Sequence, residues 1–127
     1  MKNNPNIIEV GFQNDVRPFF ALSNCLVFPS YREGFPNVVM QAGAMGLPSI
    51  VSDINGCNEI IKNDINGIII PPKNTDALHD AMYKIVEDND FRKILIKDTR
   101  KLIVERYEQH IVWKTIKDQY DLLLKGH

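Results

Sequence analysis

The feature that most constrains the fold is an alternation of short apolar runs with segments of helical periodicity. Four such runs occur, at residues 7–10, 25–28, 49–51 and 67–70. The second, Cys25-Leu26-Val27-Phe28, is apolar on both faces, which is typical of a buried parallel strand. Helical segments separate the runs, and Pro18 and Pro36 each suit the first turn of one of them. The pattern predicts an α/β domain with a mainly parallel sheet of about four strands.

Residues 73–127 differ from residues 1–72 because their pattern is entirely helical. Apolar positions at i, i+3 and i+4 spacing predict three helices, the first capped by Asn74 or Thr75 and the second opened by Asn89. The third helix carries an apolar stripe at Val112, Ile116, Tyr120 and Leu123, with Trp113 beside it. We therefore expect one domain, with a βα sheet portion at 1–72 and helices at 73–127.

Composition excludes several classes of function. The 127 residues include 15 Lys and Arg against 16 Asp and Glu, so the even balance predicts neither a nucleic-acid partner nor a polybasic membrane contact. The start is polar and the apolar runs are short, so we expect no targeting signal, no transmembrane segment and a cytoplasmic protein. Cys25 and Cys57 lie too far apart for a metal knuckle or a redox pair, and Cys25 reads as a buried small hydrophobe. His79 and His110 lack ligand neighbours, so we expect neither a metal nor another cofactor.

One segment, residues 28–41, has the chemistry of a ligand site. It follows a buried strand and opens a helix, where ligands of open α/β sheets collect and where free N–H groups favour phosphate. Gly34 lets a ligand approach the backbone, and Glu33 and Gln41 offer oxygen acceptors to hydroxyl groups. A strand–turn–helix with Gly and Pro is also a common connection in such folds and needs no ligand. From chemistry alone, a ligand site and a structural turn remain equal alternatives.

The same segment carries a resemblance to a known family. Pro29-Ser30-Tyr31-Arg32-Glu33-Gly34-Phe35-Pro36-Asn37-Val38, followed by Gly46-Leu47-Pro48, Ser52-Asp53 and Asn66-Gly67, resembles the donor-binding half of retaining glycosyltransferases with the GT-B fold. The family is that of sucrose synthases and bacterial hexosyltransferases, the glycosyl transferases group 1. The resemblance covers nearly the whole chain and implies a partial Rossmann-like domain, the C-terminal domain of the GT-B fold.

The resemblance implies a role for each residue of the motif. Glu33 would orient the donor sugar through its hydroxyl groups, and Gln41 would contact the ribose. The donor, a UDP-, GDP- or ADP-sugar, would place its diphosphate at the turn and helix N-terminus formed by Gly34, Phe35, Pro36, Asn37 and Val38. Gly11 matches a turn near the nucleobase, although simple strand termination explains it as well. Gly56 and Glu59 match a loop after the third strand, and Glu59 suits a surface position equally.

The sequence departs from the family in two respects. The second glutamate of the family, which accepts from the ribose hydroxyls, is replaced by Gln41, which has one carbonyl acceptor and no charge. The acceptor-binding N-terminal domain and the first two βα units of the donor domain are absent from these residues. The Arg and Lys that neutralise the leaving diphosphate belong to that segment, and Arg32 and Lys62 do not match them. We therefore expect weak nucleotide binding and no transfer by these residues alone.

The absent units also predict a partner for the sheet edge at Cys25–Phe28. With those strands missing, this apolar edge would expose unpaired N–H and C=O groups. We expect it to be covered either by Ile7–Val10 or by another copy of the chain, as a homo-oligomer or a strand-exchanged pair. The main interpretation is thus the donor-site portion of a retaining hexosyltransferase. The alternative is a catalytically silent fragment that self-associates or docks on a separate subunit.

Overall fold

The computed structural model describes residues 4–126, and it has the α/β class that the sequence predicts. Residues 1–3 and residue 127 lie outside the described part of the chain. Residues 1–3 belong to the polar start from which we expect no targeting signal. The elements in chain order are α1 (Arg17–Leu22), β1 (Leu26–Phe28), α2 (Asn37–Ala44), β2 (Ser49–Ser52), α3 (Cys57–Ile60), β3 (Gly67–Ile70), α4 (Thr75–Glu87), α5 (Asn89–Tyr107) and α6 (Gln109–Lys125).

The three strands form one parallel sheet in the order β1-β2-β3. Leu26 is paired with Ser49, and Ser49 with Gly67, so the strands start level with one another. All four residues of β2 are buried, as expected for a central strand. Because the strands are parallel, their carboxyl ends lie at one edge of the sheet, where the loops that leave β1, β2 and β3 meet.

The prediction of a strand at residues 7–10 is wrong. This segment has no regular secondary structure and pairs with nothing in the described part of the chain, and Ile8 is 81% exposed. An extended segment becomes a strand only when a neighbour supplies ladder hydrogen bonds, and no strand lies beside this one within residues 4–126. The sheet therefore has three strands rather than about four, and the hypothesis that Ile7–Val10 covers β1 fails. Pairing of β1 between copies of the chain stays a prediction, which light scattering tests.

The core lies on both faces of the sheet. On one face, Val51 packs with residues of α2, α3 and α5: Val39, Cys57, Ile60, Ile61 and Ile103. On the other face, Ile50 packs with β3, α4 and α5, through Ile68, Ile70, Ala81, Ile85 and Leu95. Helix α5 thus contacts both clusters. Cys25 is half-buried rather than buried, and burial raises the pKa of its thiol to about 11.

The C-terminal helices form where the periodicity predicts them, with two differences. Asn74 caps α4 as expected, its side chain accepting from the Ala77 N–H at 2.9 Å. Helix α5 is capped by Asp88 rather than opened by Asn89 alone, because the Asp88 carboxylate accepts from the Phe91 N–H. Helix α6 contains no buried residue, so its predicted apolar stripe faces outwards. None of the helices in residues 4–126 combines the length and the apolar character needed to cross a membrane.

Substitution of Ser49 by alanine is expected to raise the stability of the fold. The Ser49 hydroxyl is buried at the start of β2, and no hydrogen-bond partner for it exists among the described residues. Removal of an unsatisfied buried hydroxyl should increase the free energy of unfolding by about 1 kcal/mol, measured by urea denaturation. The matched control is Thr99→Ala, which should decrease it, because the buried Thr99 hydroxyl donates to the Leu95 carbonyl. A loss of stability in Ser49→Ala would show that this hydroxyl is satisfied.

Candidate functional site

The loop of residues 29–36, which we call the motif loop, joins the carboxyl end of β1 to α2. Its half-buried Glu33 carboxylate accepts a hydrogen bond from the Ser30 hydroxyl at 2.8 Å. This bond restricts the carboxylate to one direction while it leaves other acceptor positions on the two oxygens unused. Glu33 is therefore an oriented acceptor at the edge of the sheet where ligands of α/β folds bind.

The N-terminus of α2 supplies free N–H groups beside this carboxylate. Pro36 is the N-cap and has no side-chain cap, and its carbonyl accepts from Val39 at 3.0 Å and from Met40 at 3.3 Å. The N–H groups of Asn37 and Val38 find no acceptor in the part of the chain that the structure describes. Free N–H groups and the helix dipole together favour an oxyanion. Chemically, the arrangement suits a ligand with both hydroxyl groups and phosphate oxygens.

Gly34 is exposed, and a Cβ at this position would meet no atom of the chain within 4 Å. Its φ is not in the left-handed region, so the folded chain itself does not require glycine here. The open space in front of the backbone is what a bound group would occupy. This observation favours the ligand site over the structural turn, since a structural turn would need Gly34 for its own geometry.

A second glycine, Gly56, packs against the motif loop. The sequence places Gly56 in a loop after the third predicted strand but does not predict this contact. Gly56 is buried with φ +83°, and a Cβ on it would overlap the carbonyl oxygen of Gly34 and lie 3.0 Å from Pro36 Cδ. The loop between β2 and α3 therefore packs directly against the motif loop. Only glycine allows this contact and this backbone conformation together.

Helix α5 contacts the motif loop from the C-terminal part of the chain. The Tyr107 ring meets the Phe35 ring edge-on, with centroids 5.4 Å apart. The Arg106 guanidinium donates to the Glu59 carbonyl at 2.7 Å and lies 5.0 Å from the Tyr107 ring. Glu59 is exposed, and in these contacts its backbone carbonyl is the acceptor. Sequence patterns contain no signal for such contacts, because they join residues that are far apart along the chain, 47 positions for Arg106 and Glu59.

Gln41 lies on α2, one turn beyond Asn37, and its side chain is exposed. It lines a cavity of about 420 Å³ together with residues 14–17 at the start of α1. Gln41 thus borders a space large enough for a ligand group, and Ala44 and Met45 at the C-terminal end of α2 line the same space. Gly11 does not line this cavity; it is exposed, with φ +62°, in the segment before α1. Its predicted place near a nucleobase stays a prediction.

The thiol of Cys57 is a titratable neighbour of Glu33. Burial raises the pKa of the Cys57 thiol, and the negative charge of Glu33 raises the same pKa further. Cys57 is therefore a neutral neighbour of the carboxylate rather than a nucleophile. Both cysteines are free thiols. Within residues 4–126, no group of three or more His, Cys, Asp or Glu side chains is arranged to hold a metal ion.

Comparison with known proteins relates this site to a family. A family model described as "Glycosyl transferases group 1" matches residues 1–102. The capsular polysaccharide biosynthesis glycosyltransferase CapM of Staphylococcus aureus is 27% identical over 98% of this chain and 33% of its own length. The UDP-Gal:alpha-D-GlcNAc-diphosphoundecaprenol alpha-1,3-galactosyltransferase of Escherichia coli is 32% identical over 90% of this chain and 29% of its own. The chain thus spans about a third of these relatives.

Solved structures agree with this relation. Sucrose-phosphate synthase from Thermosynechococcus elongatus superposes with a TM-score of 0.81 at 25% identity, over 88% of this chain and 28% of the other. The Anabaena protein HepE in complex with UDP gives a TM-score of 0.84 at 18% identity, over 88% and 31%. The predicted fold class, part of a GT-B glycosyltransferase, is confirmed. The chain belongs to the glycosyl transferases group 1 family.

Proposed function

We propose that this chain forms the donor-binding part of a retaining glycosyltransferase that uses a nucleotide-activated hexose. The observation that carries the proposal is the pairing of an oriented carboxylate, Glu33, with the free N–H groups of Asn37 and Val38. A nucleotide sugar needs both kinds of group, an acceptor for sugar hydroxyls and donors for the diphosphate. Neither group is used up by contacts within the described chain.

Each residue of the site has a stated part in this proposal. Glu33 accepts from the hydroxyl groups of the donor sugar and so orients its anomeric carbon. The diphosphate binds along the turn and helix start, to backbone N–H groups of Gly34, Phe35, Asn37 and Val38, with the φ of Pro36 setting the first turn. Gln41 contacts the ribose from the cavity that it lines with residues 14–17. No side chain of the described site acts as a nucleophile.

Names of related proteins support a uridine nucleotide as the first one to test. The Escherichia coli relative is named for UDP-Gal, and HepE structures are described with UDP, with UDP and glucose, and with UDP-glucose. We propose the same class of donor for this chain. Because it spans about a third of its relatives, we propose weak nucleotide binding and no transfer by these residues alone.

Calorimetric titration of the 127-residue chain with UDP, GDP and ADP, each with and without an attached hexose, tests the proposal. We expect binding in the millimolar range, tighter for the nucleotide sugar than for the nucleotide because Glu33 adds contacts to the sugar. Absence of binding at millimolar nucleotide would contradict the donor site and favour a module that acts by docking or self-association. Turnover of a nucleotide sugar by the chain alone would contradict the expected lack of transfer.

Substitution of Gln41 by glutamate is expected to strengthen nucleotide binding about five- to tenfold, because hydrogen bonds to a charged acceptor are stronger than those to a neutral amide. A carboxylate also offers two acceptor oxygens to the two ribose hydroxyls in place of one. The measurement is the Kd for UDP by calorimetry. The control is Gln119→Glu on the exposed face of α6, which adds the same charge away from the site and should leave the Kd unchanged. An equal effect of both substitutions would exclude a contact between Gln41 and the ribose.

A further inference from the structure

A second cavity lies at the carboxyl edge of the sheet, under the N-terminus of α4. It has a volume of about 240 Å³, and its polar lining residues are Tyr31, Ser52, Lys73, Asn74 and Thr75. Residues 33–38 and Gln41 do not line it. The volume is several times the roughly 30 Å³ that a water molecule occupies in the liquid, so a small ligand group fits. We call it the α4 cavity.

Ser52 provides the first indication that the α4 cavity binds a ligand. The residue is the last of β2 and only 1% exposed, and its hydroxyl makes no side-chain hydrogen bond within the described residues. Side chains alternate along a strand, so Ser52 shares the α4-facing side of the sheet with Ile50. There it lines the cavity. A hydroxyl that lines a cavity and is not used within the chain is available to a bound group.

The start of α4 provides an independent second set of donors. Asn74 caps the helix by accepting from Ala77, which leaves the N–H groups of Thr75 and Asp76 without an acceptor in the described structure. The helix has thirteen residues, so its dipole places a partial positive charge at this end. Thr75 and Tyr31 also line the cavity, and their hydroxyl groups make no side-chain hydrogen bond within residues 4–126.

The charge of the lining favours an anion. Lys73 is its only charged residue, and no carboxylate lines the cavity. The Lys73 ammonium lies 5.6 Å from the centroid of the ring of Tyr31, which lines the same cavity. The nearest acidic residues in sequence are Asp53 and Asp76, and both are exposed and lie outside the lining; the Asp53 carboxylate accepts from Asn58 instead.

We propose that the α4 cavity binds a phosphate group carried by a ligand other than the donor nucleotide. Lys73 supplies the charge, the N–H groups of Thr75 and Asp76 bind phosphate oxygens, and the Ser52 hydroxyl donates from below. Tyr31 is the contribution of the motif loop to the lining, together with Pro29. The site lies at the same edge of the sheet as Glu33 but in a separate cavity, so the chain holds two anion-binding places rather than one.

The test is an NMR titration of the whole chain with inorganic phosphate at constant ionic strength. We expect saturable shifts of the Ser52, Thr75 and Asp76 amides, and a Kd raised about tenfold in Lys73→Gln and severalfold in Ser52→Ala. The matched control is Lys97→Gln on the exposed surface of α5, which removes the same charge elsewhere and should leave the Kd unchanged. Shifts that do not saturate, or equal effects of the two lysine substitutions, would overturn the proposal.

Two further titrations identify the source of the phosphate and separate this site from the donor site. If the phosphate group is carried by a sugar, glucose 6-phosphate should bind more tightly than inorganic phosphate. If free phosphate is the ligand, glucose 6-phosphate should bind more weakly. Either order of the two affinities supports the α4 cavity as a phosphate site. Saturating UDP should leave the phosphate titration at Thr75 unchanged. Displacement of phosphate by UDP would show that the cavity belongs to the donor site and would overturn a separate site. Phosphate binding at Thr75 without any UDP binding would contradict only the proposed donor site.

Discussion

Gly56→Ala is expected to destabilise the fold by about 3 kcal/mol and to displace the motif loop, because it combines backbone strain with a backbone clash. The Cβ would overlap the Gly34 carbonyl, which cannot rotate away as a flexible side chain would. At φ +83° the alanine would also hold a conformation that L residues rarely adopt. Urea denaturation measures the loss of stability, and chemical-shift changes at the Glu33 and Gly34 amides report the movement of the loop.

Gly46→Ala separates the two causes. Gly46 has φ +81°, nearly the value at Gly56, but a Cβ there would meet nothing within 4 Å. Gly46→Ala should lower the free energy of unfolding only by the cost of the backbone strain, about 1–2 kcal/mol. It should leave the chemical shift of the Glu33 amide unchanged. If Gly46→Ala and Gly56→Ala lose the same stability, the contact between Gly56 and Gly34 does not support the motif loop.

Gly67→Ala is expected to weaken the pairing of β2 with β3 and to destabilise the fold by about 2–3 kcal/mol. Gly67 is buried opposite Ser49, and its Cβ would overlap the Ser49 carbonyl oxygen and lie 2.9 Å from Ile61 Cγ2. The central strand would have to move, which disturbs the ladder that aligns the carboxyl ends of the strands. The loss is a large share of the roughly 5–15 kcal/mol typical of a domain.

Thermal or urea denaturation of Gly67→Ala beside Gly126→Ala tests this expectation. A Cβ on Gly126 would have its nearest neighbour, the Leu122 carbonyl oxygen, at an ordinary 3.6 Å. That substitution should therefore change stability by less than about 0.5 kcal/mol. Equal stability of the two variants would mean that β2 and β3 accommodate the extra methyl group without loss.

Strands and helices that are encoded by their own local sequence form where the sequence pattern predicts them. The strands at 49–52 and 67–70 are short apolar runs with every residue at least partly buried, and α2 begins where Pro36 predicts it. The strand expected at Ile7–Val10 does not form, because a strand depends on its neighbour as well as its own residues. Likewise, the stripe on α6 predicts a helix correctly but not its environment, since periodicity contains no information on what packs against it.

For the candidate site, too, the sequence predicts the residues of the motif but not the contacts that depend on the packed fold. The resemblance names Glu33 and residues 34–38, and the structure places them in one loop and helix start at the carboxyl edge of the sheet. Whether they bind a nucleotide sugar is a proposal, and so is the role of Gln41. The contacts that hold the loop, Gly56 against Gly34 and Tyr107 against Phe35, join distant parts of the chain. Such contacts depend on the packed fold, so the motif alone does not predict them.

A residue-resolved NMR titration of the chain with UDP and then UDP-glucose tests directly whether the motif loop binds a nucleotide sugar. We expect UDP to shift the amides of Gly34, Phe35, Asn37 and Val38 and the side-chain amide of Gln41. UDP-glucose should shift Glu33 in addition. Shifts spread over other surfaces, or no shift at these residues with millimolar nucleotide, would contradict a donor site at the motif loop.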